Sequence, residues 1–176
     1  MNTLGIDEAG RGAVWGPLFV AGVHATPADE RYFVELGVQD SKSFGAAAMA
    51  KQKRSDLAEQ IKAHLSSEVK GSQRRYKILE LSSDTVDHWV TSQSLNALEQ
   101  DVAKRIIDTV VDYRHVQGAD VVGNTRIVLD GLSLFKPLCK LYPATTAMNH
   151  GESQEVSIAA ASILAKVARD DAIDKI

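Results

Sequence analysis

The chain has 176 residues, of which 44% are hydrophobic and 24% charged, so its composition is that of a globular domain and not of a disordered chain. It has no apolar run near the roughly 20 residues of a membrane span, no secretory signal and a single cysteine, Cys139, which together predict a soluble cytoplasmic protein. The net charge of −3 argues mildly against nucleic acid as a partner, although basic residues cluster in the first half.

The first predicted elements form a β-hairpin. Residues 3–7 (TLGID) predict a short strand, and residues 18–26, with Phe19, Val20 and Val23, predict a second one. The stretch Gly10-Arg11-Gly12 between them suits a turn, because glycine adopts the backbone angles that tight turns require. We therefore expect an antiparallel pair of strands.

The next segment predicts a helix followed by an extended stretch. Residues 40–42 (DSK) are expected in a loop. Residues 46–65 predict a helix from the near-helical spacing of their apolar positions, which are Met49, Leu57, Ile61 and Leu65. Residues 68–81 are expected to be extended.

The clearest amphipathic helix is predicted over residues 91–114. Its apolar positions follow one another at intervals of three or four residues, and they are Leu95, Leu98, Val102, Ile106 and Val110. Thr91 or Ser92 can cap the free amides of its first turn. This helix is expected to pack one face on the sheet.

The last third of the chain alternates strands with a helix. Residues 125–130 (TRIVLD) predict a compact strand that ends on a carboxylate, and residues 141–146 predict a weaker one. Residues 153–174 are rich in alanine and predict a final helix with Ser153 as its N-cap. The pattern indicates a mixed α/β domain with one sheet covered by helices.

Four carboxylates fall where strands end or helices begin. Asp7 and Glu8 follow the first strand, Asp130 ends a later one, and Glu152 precedes the final helix. Clustered carboxylates repel one another, and a divalent cation with oxygen ligands, Mg²⁺ or Mn²⁺, would remove that conflict. On the pattern alone a simpler explanation is favoured, in which these residues are solvated surface groups, a turn-starting aspartate and a helix-dipole partner.

Zinc is not indicated by the pattern. The one cysteine has no second cysteine at metal-ligand spacing, and the five histidines are scattered. His150 lies near Glu152 in sequence, but a lone histidine in a loop is more often solvated than catalytic. The residues therefore favour a hard cation if a metal is bound at all.

Four segments, in order, resemble the type 2 ribonucleases H, the ribonuclease HII and HIII family. They are GIDEAGRGAVWGPLFVAGV, DSKSF, VLDGL and SIAAASILAKVARD. The resemblance implies an RNase H-like fold, with a central five-stranded mixed sheet flanked by helices. It also implies an endonuclease that cuts the RNA strand of RNA–DNA hybrids, or cuts at ribonucleotides embedded in DNA.

The resemblance also assigns roles to residues. The family's metal-binding acids fall on Asp7, Glu8, Asp130 and Glu152, which would share two Mg²⁺ or Mn²⁺ ions, with Asp7 as the bridging ligand. Cleavage would then leave a 3′-hydroxyl and a 5′-phosphate. The implied substrate-binding residues are Gly10, Arg11, Gly12, Ser41, Lys42 and Lys166. Backbone groups of the Gly-Arg-Gly turn would read the ribose 2′-hydroxyl, and Arg11 and the lysines would contact phosphates.

Three departures from the family pattern leave alternatives open. Glu152 stands where ribonuclease HII usually has aspartate and ribonuclease HIII has glutamate, whereas Arg11 stands where HIII typically has lysine. We also expect a single catalytic domain over residues 1–176 that lacks the family's C-terminal segment with its sugar-stacking tyrosine. Two alternatives therefore remain, an HIII-like preference for longer hybrids and a hybrid-binding module with weak catalysis. In each case we expect a monomer.

Overall fold

The computed structural model describes residues 1–13, 15–39, 44, 48–67, 75–111 and 125–175. Predictions for residues 40–43, 46–47, 68–74 and 112–114 lie outside these ranges. Within the ranges, the chain forms five strands and six α-helices. In chain order they are β1 (Asn2–Ala9), β2 (Leu18–Ala25), α1 (Pro27–Leu36), α2 (Ala48–Ser67), β3 (Tyr76–Leu81), α3 (Ser83–Ser92), α4 (Leu95–Val110), β4 (Thr125–Asp130), α5 (Leu132–Leu141), β5 (Thr145–Met148) and α6 (Val156–Ile173).

The strands form one mixed sheet in the order β3-β2-β1-β4-β5. β2 is antiparallel to both β1 and β3, which confirms the predicted hairpin of β1 and β2. β4 is parallel to β1 on one side and to β5 on the other. β1 is therefore the central strand, and the C-terminal ends of β1 and β4 meet at the same edge of the sheet.

Helices cover both faces of the sheet, as the mixed α/β prediction requires. Alternate residues of β2 point to opposite faces: Leu18 and Val20 pack in the core beneath α4 and α5, whereas Phe19 and Ala21 pack in the core beneath α1, α2 and α6. All eight residues of β2 are buried. No helix in the described part of the chain is long and apolar enough to cross a membrane.

Two glycines let helices approach the sheet closely. A Cβ at Gly5 of β1 would lie 2.4 Å from the backbone nitrogen of Ile158 in α6. A Cβ at Gly22 of β2 would lie 2.3 Å from a methyl carbon of Ile106 in α4. The two close contacts lie on opposite faces of the β1–β2 pair, where α6 and α4 pack.

The helix predicted over residues 91–114 is wrong at its start. Residues 83–92 form the separate helix α3, and α4 begins at Leu95 with Ser94 as its N-cap, where the Ser94 hydroxyl accepts a hydrogen bond from Ala97 N at 3.1 Å. Thr91 and Ser92 do not cap α4. Their hydroxyls donate to the carbonyl of His88 in the last turn of α3, a local bond that competes with an N-terminal capping role.

Other boundaries also differ from the prediction. The final helix begins at Val156 with Glu155 as its N-cap, because Ser153 belongs to a preceding 3₁₀ helix, Gly151–Ser153. Leu141 ends α5, so the strand predicted over residues 141–146 is shifted to β5. Met49, predicted on the buried face of α2, is 86% exposed.

Helices α1 and α5 were not predicted. For α1 the signal was present: Thr26 caps the helix and Asp29 bonds back to the Thr26 amide, which is a capping box. α5 follows directly on the end of β4 and contains Pro137, a residue that argues against a helix interior. Tertiary packing of Leu134, Phe135 and Leu138 on the sheet stabilises it instead.

Candidate functional site

The candidate site lies where β1 and β4 end side by side. Ile6 pairs with Leu129 in the parallel register, so Asp7 and Asp130 are the next residues along two neighbouring strands. Burial, with the Asp130 charge as a smaller contribution, raises the pKa of both Asp7 and Glu8, so these three carboxylates lie within electrostatic range of one another. The structure thus brings together three of the four acids at one sheet edge.

Asp7 is fixed on the α6 side of the sheet. It is 6% exposed, its Oδ1 accepts a hydrogen bond from Glu8 N at 2.8 Å, and its carboxylate is hydrogen-bonded by the Ser162 side chain of α6. Burial raises the pKa of Asp7 well above its usual value, and the neighbouring Glu8 and Asp130 charges raise it further. A buried carboxylate with negatively charged neighbours favours the binding of a cation, because the cation offsets the repulsion.

Glu8 lies on the opposite face, toward α4, because successive side chains of a strand alternate. Burial raises its pKa to about 7, with further contributions from Glu99 of α4 and from Asp130. Arg11 lowers the pKa of Glu8 in part. The strand end therefore directs one acid toward each helical layer.

Glu152 is held at the same edge through Asp130. The Asp130 Oδ1 accepts a hydrogen bond from Gly151 N at 3.1 Å, which joins the end of β4 to the 3₁₀ helix that carries Glu152. Glu152 is 5% exposed. His150, which precedes it, is exposed and adopts a left-handed conformation with φ of 55°.

The donor atoms of these acids suit a hard divalent cation. They offer only carboxylate oxygens, and a cation would relieve the repulsion that raises the pKa of Asp7 and Glu8. Among the described residues, however, no three carboxylate, imidazole or thiol groups lie close enough together to hold one ion. The full four-residue ligand set therefore stays a prediction.

The Gly10-Arg11-Gly12 turn leaves β1 directly beside the acids. The Gly10 carbonyl accepts a hydrogen bond from Ala13 N at 3.1 Å, and Gly10 has a φ of 110°, which favours glycine. A Cβ at Gly10 would also lie 2.6 Å from Arg169 Nε, whereas a Cβ at Gly12 would meet no described residue within 4 Å. Among the described residues, the turn is thus packed at Gly10 and open at Gly12.

The Arg11 guanidinium lies against α4 in this structure. Its Nη2 donates to Asn96 Oδ1 at 2.6 Å, and its Nε lies 3.3 Å from Glu99 Oε1. Two donor nitrogens of Arg11 are thus directed at α4, while its side chain remains 40% exposed. The contact of Arg11 with phosphate stays a prediction.

Glu99 was missed by the sequence analysis although a signal was present. It lies four residues after Leu95 and three before Val102, so the helical period places a charged residue on the apolar face of α4. In the structure it is 1% exposed, and burial, opposed in part by the Arg11 charge, raises its pKa to about 7.

A cavity of about 740 Å³ opens beside the turn. Its lining includes the turn residues and cationic side chains, among them Lys51, Arg54, Lys166 and Arg169. Lys166 Nζ bonds Asp170 Oδ1 at 2.6 Å and is partly exposed, while Arg169 donates to the carbonyls of Pro17 and Trp15 at 3.2 and 3.1 Å. Ser41 and Lys42 lie outside the described residues. Arg169 was not among the predicted site residues.

Comparisons with known proteins agree on one family. A sequence model of the ribonuclease HII family matches residues 4–176. The chain is 30% identical over 175 residues to ribonuclease HII of Sulfurisphaera tokodaii, covering 99% of this chain and 73% of that protein. It is 34% identical over 179 residues to ribonuclease HII of Thermococcus sibiricus, covering 100% of this chain and 71% of that protein.

Solved structures share the fold. The ribonuclease HII of Archaeoglobus fulgidus, solved in complex with PCNA, superposes with a TM-score of 0.73 at 27% identity, covering 98% of this chain and 74% of that one. A Bst ribonuclease HIII in complex with Mn²⁺ superposes with a TM-score of 0.75 at 22% identity, covering 99% of this chain and 54% of that one. The five-stranded mixed sheet flanked by helices is thus the RNase H-like fold.

Proposed function

The chain belongs to the ribonuclease HII family, and hence to the RNA–DNA hybrid endonucleases, and we propose that it also cuts at ribonucleotides embedded in duplex DNA. One observation carries the proposal. Asp7 and Glu8 at the end of β1 interact electrostatically with Asp130 at the end of the parallel neighbour β4, beside a glycine turn that borders an open cavity.

The proposed metal ligands are Asp7, Glu8, Asp130 and Glu152, with Asp7 as the ligand shared between two ions. Two divalent cations bound there, Mg²⁺ or Mn²⁺, would supply an activated water and stabilise the charge that develops on the cleaved phosphate. The expected products are a 3′-hydroxyl and a 5′-phosphate. Support for a cation comes from the burial of Asp7 and from the repulsion that raises its pKa.

The protein contributes by holding these carboxylates in place. The Glu8 amide and the Ser162 side chain fix Asp7, and the Gly151 amide fixes Asp130. Groups held before substrate arrives do not have to be reorganised during the reaction, which lowers its barrier. We therefore assign Ser162 a positioning role.

Gly10, Arg11 and Gly12 are proposed to recognise the ribose. No described residue would lie within 4 Å of a Cβ at Gly12, so the described part of the chain leaves room for a nucleic-acid backbone beside the turn, where backbone groups can bond a 2′-hydroxyl. Lys166, at the wall of the adjoining cavity, is proposed to contact a phosphate, as are Ser41 and Lys42 of the DSK segment. We expect the enzyme to act as a monomer.

The direct test is a cleavage assay with Mg²⁺ or Mn²⁺ on two substrates, an RNA–DNA hybrid and a DNA duplex that contains one ribonucleotide. Asp130→Asn should lower the rate about a hundredfold or more, since metal-ion stabilisation of the transition state is worth several kcal/mol. Asp87→Asn, an exposed aspartate of α3, is the matched control and should cleave at the wild-type rate. Equal rates for Asp130→Asn and wild type would refute the assignment.

Glu152 supports a second candidate, an HIII-like preference for longer hybrids. Glutamate is one methylene longer than aspartate, and active-site geometry is sensitive at about 1 Å. The Glu152→Asp variant should then gain activity on the single-ribonucleotide duplex relative to the hybrid. If the wild type cleaves the single-ribonucleotide duplex at least as fast as the hybrid, this candidate is rejected. If it binds the hybrid without cleaving it, the protein is a binding module.

A further inference from the structure

The Gly10-Arg11-Gly12 turn is fastened to helices on both faces of the sheet. On one side, Arg169 of α6 donates to the carbonyls of Pro17 and Trp15, which follow the turn. On the other side, Arg11 reaches Asn96 and Glu99 of α4. The two contacts on α4 come from side chains one helical turn apart, so the guanidinium bridges them.

Glu99 is the buried partner in the contact with Arg11. Its carboxylate is 1% exposed among the apolar residues of α4, and apart from the ion pair with Arg11 neither oxygen accepts a hydrogen bond from the described residues. Burying a charge in such a place is unfavourable unless it is paired. Packing alone requires no carboxylate there, because an apolar side chain would continue the stripe formed by Leu98 and Val102.

We propose that Glu99 is a positioning residue which, together with Asn96, holds the Arg11 guanidinium against α4 and thereby sets the backbone of the ribose-reading turn. The Arg11 side chain then serves mainly to link the turn to α4. The inference rests on the proposed function of the turn. It differs from a purely structural role for Glu99 because it predicts an effect on turnover and on the freedom of Arg11, with global stability unchanged or increased.

Three variants and a control separate these roles. Glu99→Gln removes the charge with little change of shape, and Asn96→Asp supplies a carboxylate at the exposed acceptor that already bonds Arg11 Nη2. The double variant Glu99→Gln/Asn96→Asp thus moves the charge from one acceptor to the other. The control is Asp101→Asn on the same helix, which pairs with Arg105 at 2.7 Å and not with Arg11.

The first readout is cleavage of the single-ribonucleotide duplex. Glu99→Gln should lower kcat between about ten- and a hundredfold, the effect of a misplacement of about 1 Å, with KM within about threefold of wild type. The double variant should recover to within about threefold of the wild-type kcat, and the Asp101→Asn control should match wild type. An unchanged kcat in Glu99→Gln, or a loss that Asn96→Asp does not rescue, would overturn the proposal.

The second readout is independent of nuclease activity. Trypsin must bind the Arg11 side chain to cut the Arg11–Gly12 bond, so the contacts on α4 protect this bond in the folded protein. Release of the fragment 1–11, followed by mass spectrometry, should be about tenfold faster in Glu99→Gln than in wild type, and should return to the wild-type rate in the double variant. Equal tryptic rates in wild type and Glu99→Gln would also overturn the proposal.

The two readouts distinguish the failure of this inference from the failure of the proposed function. If wild type cleaves neither substrate, the proposed function fails, and the tryptic rates still test the contacts on α4. If wild type cleaves and Glu99→Gln frees Arg11 without lowering kcat, the inference alone fails. Urea unfolding of each variant verifies that the tryptic rates report local release, because a glutamine in place of a buried charge should not lower global stability.

Discussion

Acidification should destabilise the fold through His24, a buried histidine of β2 that pairs with Leu4 of β1, whereas Asp7 pairs with Ala21. His24 is 8% exposed, and its Nε2 lies 3.3 Å from Thr125 Oγ1. Burial, together with the Arg75 charge and against the opposing charge of Asp29, lowers its pKa from 6.5 to about 4. In the folded protein His24 therefore stays neutral down to about pH 4.

The magnitude follows from the two pKa values. The unfolded chain protonates His24 near pH 6.5 and the folded chain near pH 4, so the unfolded state binds more protons between these values and stability falls as the pH falls. Above pH 6.5 the contribution is fully present, and below pH 4 it no longer changes. Between pH 7.5 and 4.5 the loss amounts to about 2.5 kcal/mol.

Urea unfolding at pH 7.5, 6.5, 5.5 and 4.5 measures this loss as a difference between proteins, which removes the contributions of other titrating groups. Relative to His24→Gln, the wild type should lose about 2.5 kcal/mol of unfolding free energy over this range. His88→Gln, an exposed histidine of α3, should parallel the wild type. A constant difference between wild type and His24→Gln would refute the argument, since it would mean that His24 titrates alike in both states.

Three further predictions concern the site. Gly10→Ala should lower the unfolding free energy by about 1–3 kcal/mol, because the added Cβ would meet Arg169 and the residue has a positive φ. Gly12→Ala should unfold like wild type in urea and yet cleave the single-ribonucleotide duplex more slowly. Ser162→Ala should lower kcat with little change in KM, since it removes a hydrogen bond that fixes Asp7, and steady-state kinetics on the hybrid would contradict this if only KM rose. Mn²⁺ should raise the melting temperature of wild type in a thermal-shift assay but not that of Asp7→Asn, and equal shifts would remove Asp7 from the proposed ligand set.

Local sequence patterns predicted much of the sheet but fewer helix boundaries. The hairpin of β1 and β2 and the strand β4 were predicted because alternating or continuous apolar residues end there at glycines or at Asp130. The break between α3 and α4 was missed because Ser94 is the true cap, while Thr91 and Ser92 offered the same chemistry two or three residues earlier. An N-cap side chain satisfies the first amides of a helix only where its own backbone is non-helical, and the local sequence does not state which residue adopts that conformation.

Sequence by itself determined which residues carry the acidic and glycine-rich chemistry and on which strand ends they fall, because both depend on neighbours within a few positions. Only the tertiary structure decided what surrounds them. The parallel pairing of β1 with β4 brings Asp130 beside Asp7, and the packing of α4 on the sheet turns Glu99 toward Arg11. Such contacts join residues 88 and more positions apart in the chain, so their energies depend on burial and distance, which arise only when the helices pack on the sheet.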